Sequence, residues 1–441
     1  MTAIARAPNY SRARRALAGA AALGSLLAIP AAAQSLAARV SRSPDGPVQF
    51  SFAARPGVCG NGRSYISTGP NTYIGSWNGS INDITQREPC APGPVRVVLT
   101  RAGGEVVDVN TYVGPRAAAA PGAADLGTVP AREAADYLVS LAARLEGRPG
   151  HDAILPAMLA DDADPGPALL RIARDKERPR ETRRSALGWL GRQLDGADVA
   201  PARNVIAALV QIARDESDNQ AVRQYAVAAL ARMDAGDGVP TLMDLARDRD
   251  DTWLAKQAVT ALARSGDPRA RQFLRGALQR ADLPEDMRVV AIRGIGREYA
   301  TSRDAELLRG LYPRLTGENE KESVLAAVGE IGGAENVRWL LAVARDEGEP
   351  VRMRRRALAA AERAGAATEE LVRLYDATRD PQMRDALIAL YARSGDKAAT
   401  DKLLSIARTD EDRTMRRRAI ARLSKSDDPR VKQLLQDIVE R

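Results

Sequence analysis

One helix face recurs along this chain and limits what it can fold into more than any other feature. It first appears as Ala186, Leu187 and Leu190. It returns as Ala226, Val227, Leu230; Ala258, Val259, Leu262; Ala291, Ile292, Ile295; Ala327, Val328, Ile331; Ala357, Leu358, Ala361; Ala386, Leu387, Leu390; and Ala419, Ile420, Leu423. Positions i, i+1 and i+4 share one stripe of an α-helix, so each copy predicts an amphipathic helix with a single buried side. Successive alanines lie 29 to 40 residues apart. A period in that range marks a helical solenoid, whose units stack because none can bury its apolar face alone. The chain is 45% hydrophobic but only 4% aromatic, which suits helices packed through small residues better than a large aromatic core.

Each stripe helix is preceded by another that ends in a shared phrase: Ile172-Ala173-Arg174-Asp175, Ile212-Ala213-Arg214-Asp215, Leu245-Ala246-Arg247-Asp248, Val343-Ala344-Arg345-Asp346 and Ile406-Ala407-Arg408. Aspartate followed by proline opens several helices, as at Asp267-Pro268, Asp380-Pro381 and Asp428-Pro429. The aspartate caps free amides and the proline presets the first helical φ. The unit is therefore helix, acidic turn, helix. Over residues 165–441 this pattern resembles the short HEAT-like repeats, including the variant named after the phycobiliprotein lyases. The resemblance implies a superhelical scaffold with a concave binding surface. The unit from Leu307 to Gly332 departs from it, lacking the early arginine, so a local irregularity is expected there.

Residues 34–114 read differently. Val48, Phe50 and Phe52 alternate with polar or small neighbours, as do Val95, Val97 and Leu99, and Gly103-Gly104 turns the second run into Val107, Val109 and Tyr112. That is strand periodicity and a hairpin. The chain's two cysteines, Cys59 and Cys90, flank a loop rich in Gly, Asn, Ser and Pro. In an exported protein an even pair reads as a disulfide. The expected architecture is mainly α: a small disulfide-pinned β domain at 34–114, a Pro/Gly/Ala linker at 115–130, and an α-solenoid of antiparallel helix pairs at 131–441.

Residues 1–33 carry Arg6, Arg12, Arg14 and Arg15, an apolar run from Ala16 to Ile29, and a small-residue end at Ala31-Ala32-Ala33. These are the parts of an export signal, too short to span a bilayer. A periplasmic or secreted protein without a transmembrane segment is expected. Removing this segment takes the four arginines from the formal +8 and leaves +4, too little for a dedicated nucleic-acid binder.

No catalytic constellation emerges. His151 is the lone histidine, in a Gly/Pro-rich stretch, and reads as a surface or packing residue. The metal-dependent hydroxylase branch of the resembling family relies on paired His-Glu motifs, which are absent, and no residue set for bilin attachment is seen. Asp161, Asp162 and Asp164 lack the spacing and closing glutamate of a calcium loop. Gly60 and Gly62 lack the Lys-Ser/Thr of a phosphate loop. Trp77, Trp189, Trp253 and Trp339 read as packing residues. No cofactor and no metal are expected.

The patterned polar feature is cationic. Six positions after the anchor alanine stand Arg192, Arg232, Arg264, Arg297, Arg363 and Lys425, with Arg393 one residue out of step. A cation there complements the helix dipole or pairs with a neighbour, and a row of them also suits an anionic partner. A second set, Arg183, Arg223, Arg288, Arg354 and Arg416, opens the same helices. Arginine opposes the dipole there, so a ladder to aspartates of the adjacent turn is expected. The reading is a non-catalytic extracytoplasmic scaffold that binds a protein or peptide, acidic where it meets the arginines, on the concave face. Partner contacts are expected at Arg264, Arg297, Arg355, Arg356 and Arg363. Peripheral contact with the envelope is compatible with this, and nucleic acid is not expected. The alternative is an enzyme of the lyase-like or hydroxylase-like branch.

Overall fold

The computed structural model describes residues 34–63, 65–69, 72–74, 90–115, 120–192, 202–233, 237–280, 282–297, 299–424 and 428–439. The expected export signal, Trp77 and Lys425 lie outside these residues.

Among the described residues a short helix α1 (Leu36–Arg42) leads into eight strands: β1 (Gly46–Phe52), β2 (Cys59–Gly60), β3 (Ile66–Gly69), β4 (Thr72–Ile74), β5 (Ala91–Pro92), β6 (Val95–Ala102), β7 (Glu105–Val113) and β8 (Ala124–Thr128). They form two four-stranded sheets, ordered β7-β6-β1-β8 and β4-β3-β2-β5. Val48, Phe50, Phe52, Val95, Val97 and Leu99 are buried on one face of the larger sheet, as their alternation requires. Gly103 and Gly104 turn the hairpin with φ of 60° and 83°, a conformation glycine adopts without strain. A register shift after Thr100 then buries Val106 and leaves Val107 exposed. The expectation had Val107 facing in; the bulge reverses that, because one extra residue flips every side chain beyond it. The Cys59–Cys90 bond, with S–S 2.03 Å, ties the smaller sheet.

The β region is not set apart by a linker. Within the stretch 115–130, β8 pairs in parallel with β1, and Gln49 bonds Asp125 at 2.8 Å. The following helix α2 (Ala131–Arg144) covers the sheet, with Tyr137 edge-on to Phe50. Two short helices follow, α3 (Gly147–Asp152) and α4 (Ile154–Met158). Arg55, just past β1, is buried and donates to the carbonyls of Ala160 and Ala163. Sheet and first helices thus share one core. Read from sequence, the Pro/Gly/Ala composition of 115–130 suggested a spacer, but a parallel edge strand needs little side-chain pattern when its partner supplies the ladder.

Eight helix pairs follow among the described residues: α5 (Gly166–Arg174) with α6 (Arg180–Leu190), α7 (Ala202–Arg214) with α8 (Gln220–Leu230), α9 (Val239–Leu245) with α10 (Thr252–Leu262), α11 (Pro268–Leu278) with α12 (Glu285–Ile295), α13 (Ser302–Leu311) with α14 (Glu318–Ile331), α15 (Ala334–Arg345) with α16 (Val351–Arg363), α17 (Thr368–Ala377) with α18 (Pro381–Ser394), and α19 (Lys397–Thr409) with α20 (Arg413–Leu423). A further helix, α21 (Pro429–Val439), packs on the last pair. The even-numbered helices pack on one another from repeat to repeat, while the odd-numbered ones stand farther apart. The even-numbered set therefore lines the concave side.

Burial corrects the phase of two repeats. In α18 the fully buried triplet is Leu387, Ile388 and Tyr391, and Ala386 is only partly buried. In α14 it is Val324, Leu325 and Val328. With Val324 and Leu387 as anchors the steps become 40, 32, 33, 33, 33, 30 and 32 residues. The irregularity expected between Leu307 and Gly332 reduces to a 3-10 turn at Tyr312–Arg314, and α14 itself keeps register.

Candidate binding site

The second arginine set forms the expected ladder. Arg183 donates through Nε to the Ala173 carbonyl at 2.9 Å and grips Asp218 of the next repeat at 2.7 and 2.5 Å. Arg223 repeats this with Ala213 at 2.9 Å and Asp251 at 3.3 Å, and Arg354 with Ala344 at 3.2 Å and Asp380 at 3.3 Å. The accepting carbonyl is each time that of the alanine in the shared phrase, so the two sequence motifs are halves of one clamp. Arg288 takes Glu320, and Lys321, three residues before the corrected anchor Val324, takes Glu349 at 2.9 Å. Arg384 reaches Asp410 at 3.4 Å. Arg416 departs from the rule and donates to the carbonyls of Asp410 and Glu411. These side chains are structural.

The first set divides in two. With Val324 as anchor, the rim position of α14 is Glu330, which pairs with Arg363 at 3.5 Å. Counting from Leu387, Arg393 falls into step, and it pairs with Glu362 at 2.9 Å. Arg356, also expected to meet a partner, pairs with Glu322 at 3.0 Å. By contrast Arg192, Arg232, Arg264 and Arg297, at the C-terminal ends of α6, α8, α10 and α12, are exposed and form no ion pair among the described residues. Arg355 is exposed likewise, but stands alone on α16.

The structure brings Arg264 and Arg297 together around a hollow of about 270 Å³ that also presents Tyr299, an aromatic side chain 63% exposed. Farther along the same face a cleft of about 1000 Å³ opens between α6, α8, α3 and the β6–β7 hairpin. Five arginines and two carboxylates line it, with Tyr112, Trp189 and Tyr225. Arg148 is held by Asp152 at 3.1 Å. Arg184 is held by Glu181 at 2.9 Å and lies 4.0 Å over the Tyr225 ring. Arg192 sits 5.4 Å over Trp189, and the partial desolvation of its guanidinium between the cleft walls, with the nearby Arg232, pushes its pKa down although the side chain still reaches solvent. His151 lies on α3 at the cleft's edge, its Nδ1 2.8 Å from Asp152.

Sequence reasoning missed this cleft. Its walls come from β7, α3, α6 and α8, each unremarkable alone; Trp189 packs in the core as read and shows only an edge to the cleft, and Tyr225 carried no pattern. Other candidates resolve locally. Asp161 accepts from the Asp162 amide and Asp164 from that of Gly166, while Gly60 packs against Val113 beside the disulfide. Among the described residues no group of three or more His, Cys, Asp or Glu side chains could hold a metal ion, and no helix is long and apolar enough to cross a membrane.

No curated relative matches the chain in sequence. Among solved structures, human deoxyhypusine hydroxylase in complex with glycerol is similar at 19% identity, covering 58% of this chain and 94% of that one with a TM-score of 0.24. The CpcE–CpcF complex of phycocyanin lyase from Nostoc sp. PCC7120 is similar at 18% identity, covering 62% and 94% with a TM-score of 0.22. Overlays this loose carry no information about activity. The family described as HEAT repeats matches within the helical array and takes in five of the stripe helices, α8, α10, α12, α18 and α20. The match to the HEAT-repeat family covers residues 206–296 and 368–441.

Proposed function

We propose that the protein is a non-catalytic scaffold that works outside the cytoplasm and receives an acidic protein or peptide segment on its concave face, along α6, α8, α10 and α12. One observation carries this reading. Four arginines stand one repeat apart on that face without a carboxylate partner among the described residues, and the series stops where Glu330 takes the equivalent place and neutralises Arg363. Among the described residues, a row of cations serving only the fold should show a carboxylate partner in these four repeats as it does in the next ones. Tyr299, beside Arg264 and Arg297, supplies the flat aromatic contact that binding faces favour. The extracytoplasmic address is supported by the export-like residues 1–33 and by the Cys59–Cys90 bond, which persists in oxidising compartments.

The test is fluorescence anisotropy with a fluorescein-labelled decaglutamate at low salt. The wild-type chain should bind, with affinity falling as salt rises. Replacing Arg192, Arg232, Arg264 and Arg297 by Gln should weaken binding by about tenfold or more, the loss of roughly 1.4 kcal/mol. Replacing the paired Arg356 and Arg363 should change it little. Equal losses in the two variants, or no binding to the wild-type chain, would overturn the reading.

A further inference from the structure

The concave face does not run out into solvent at its first repeat. The β6–β7 hairpin turns the face opposite its core side toward α6 and α8, so that Val98, Asn110 and Tyr112 look across the cleft. Helix α3 closes the bottom. A chain lying along the groove from α12 toward α6 therefore meets a wall and must end or turn there.

The charge at that wall fits an end. Arg148 and Arg184 are committed to Asp152 and Glu181. Arg192 and Arg232, at equivalent positions of adjacent repeats, both line the cleft, and neither forms an ion pair among the described residues. Two guanidiniums left together in a half-enclosed cleft are relieved by an anion that bridges them. The free end of a peptide supplies such an anion. The cleft of about 1000 Å³ is far larger than a carboxylate, and its apolar and aromatic walls leave room for the side chain that precedes it.

We propose that the cleft captures the C-terminal residue of a bound peptide, its carboxylate between Arg192 and Arg232 and its apolar side chain against Val98, Tyr112 and Trp189. This rests on the acidic-segment reading and adds polarity to it: the partner enters over α12 and terminates at α6. Arg264 and Arg297 then meet upstream acidic side chains, while the Arg192 and Arg232 pair fixes the register.

The experiment compares two N-terminally labelled peptides, Glu-Glu-Asp-Glu-Glu-Val-Phe with a free C-terminus and the same peptide as its amide, on the full chain. The free acid should bind about tenfold more tightly, as expected for a charge-assisted carboxylate contact. The Arg192→Gln/Arg232→Gln variant should lose that preference. The Arg264→Gln/Arg297→Gln variant should weaken both peptides and keep it. All four positions are exposed, and circular dichroism melts verify that the variants stay folded. Equal binding of acid and amide, or a preference that survives in Arg192→Gln/Arg232→Gln, overturns the capture site while an effect of Arg264→Gln/Arg297→Gln leaves the scaffold reading standing. Failure of both peptides to bind overturns the two together.

Discussion

Arg183 and Asp218 are each 3% exposed and share two hydrogen bonds of 2.5 and 2.7 Å. Burying such a pair is costly, and what recovers the cost is the completeness of its bonding, including the Ala173 carbonyl at Nε. Removing one partner strands the other. Arg183→Met or Asp218→Ala should each destabilise by about 3 kcal/mol in urea unfolding, and the double variant should lose much less than the sum. The carboxylates that pair between repeats, in this ladder and outside it, also predict an acid limb. Burial alone would raise the pKa of Asp218, but Arg183 and the Asn219 amide outweigh it and hold the group below its ordinary value. Asp304 behaves alike with Arg275 and Thr301, and Asp215 is lowered to about 2, chiefly by Lys176 and Ser217. Depressed carboxylates contribute fully above their unfolded pKa of about 4 and lose that contribution as pH falls through the folded value. Melting temperature should therefore be flat from pH 5 to 8 and fall between pH 4 and 2, less steeply in Asp218→Ala.

Between elements, the alanine-rich composition becomes a distance. A side chain at Gly296 would place its Cβ 2.5 Å from the Cβ of Ala327 and 2.9 Å from its Cα, and one at Gly191 would meet Ala229 just as closely. The backbones of successive second helices nearly touch, five residues past one anchor against three past the next. Gly296→Ala should push α12 and α14 apart and cost about 1 to 3 kcal/mol. Gly276→Ala, in α11 where a Cβ meets nothing within 4 Å, should instead raise the melting temperature through helix propensity. The same contact explains where sequence reading slipped. Alanine stands at the anchor in six of the eight repeats, and a small residue stands three places later in five, Ala229, Ala261, Gly294, Ala327 and Ala360, so Ala327 looked like an anchor when it is a contact position. Charge settles the phase that size leaves open, since only with Val324 as anchor does Lys321 take the ladder place and Glu330 the rim place. The repeat, the ladder and the hairpin were legible because each is a local pattern. The strand β8 was not, since its pairing with β1 depends on the partner strand more than on its own residues.

At the scale of the molecule, the cleft escaped the sequence because it is a property of stacking: residues silent in their own repeats become a site when a sheet is set against the first two of them. The same one-dimensional logic governs how the molecule comes apart. Each repeat touches its neighbours and little else, so damage at one end should stay there. Ending the chain after Gly395 removes α19 to α21 and with them the bonds from Tyr375 to Asp410, from Arg384 to Asp410, from Lys402 to Asp376 and from Thr368 to Asp396. Leu371, Leu374 and Tyr375, now buried, would face the newly opened end. Hydrogen exchange should accelerate by about tenfold or more in α17 and α18, fade through α15 and α16, and leave α5 to α10 and the β6–β7 hairpin as protected as in the full chain. Peptide binding at α6 to α12 should survive the truncation for the same reason. A loss of protection spread evenly from one end to the other would mean that the repeats fold around a shared centre, and the row of arginines could then no longer be treated as positions on independent units.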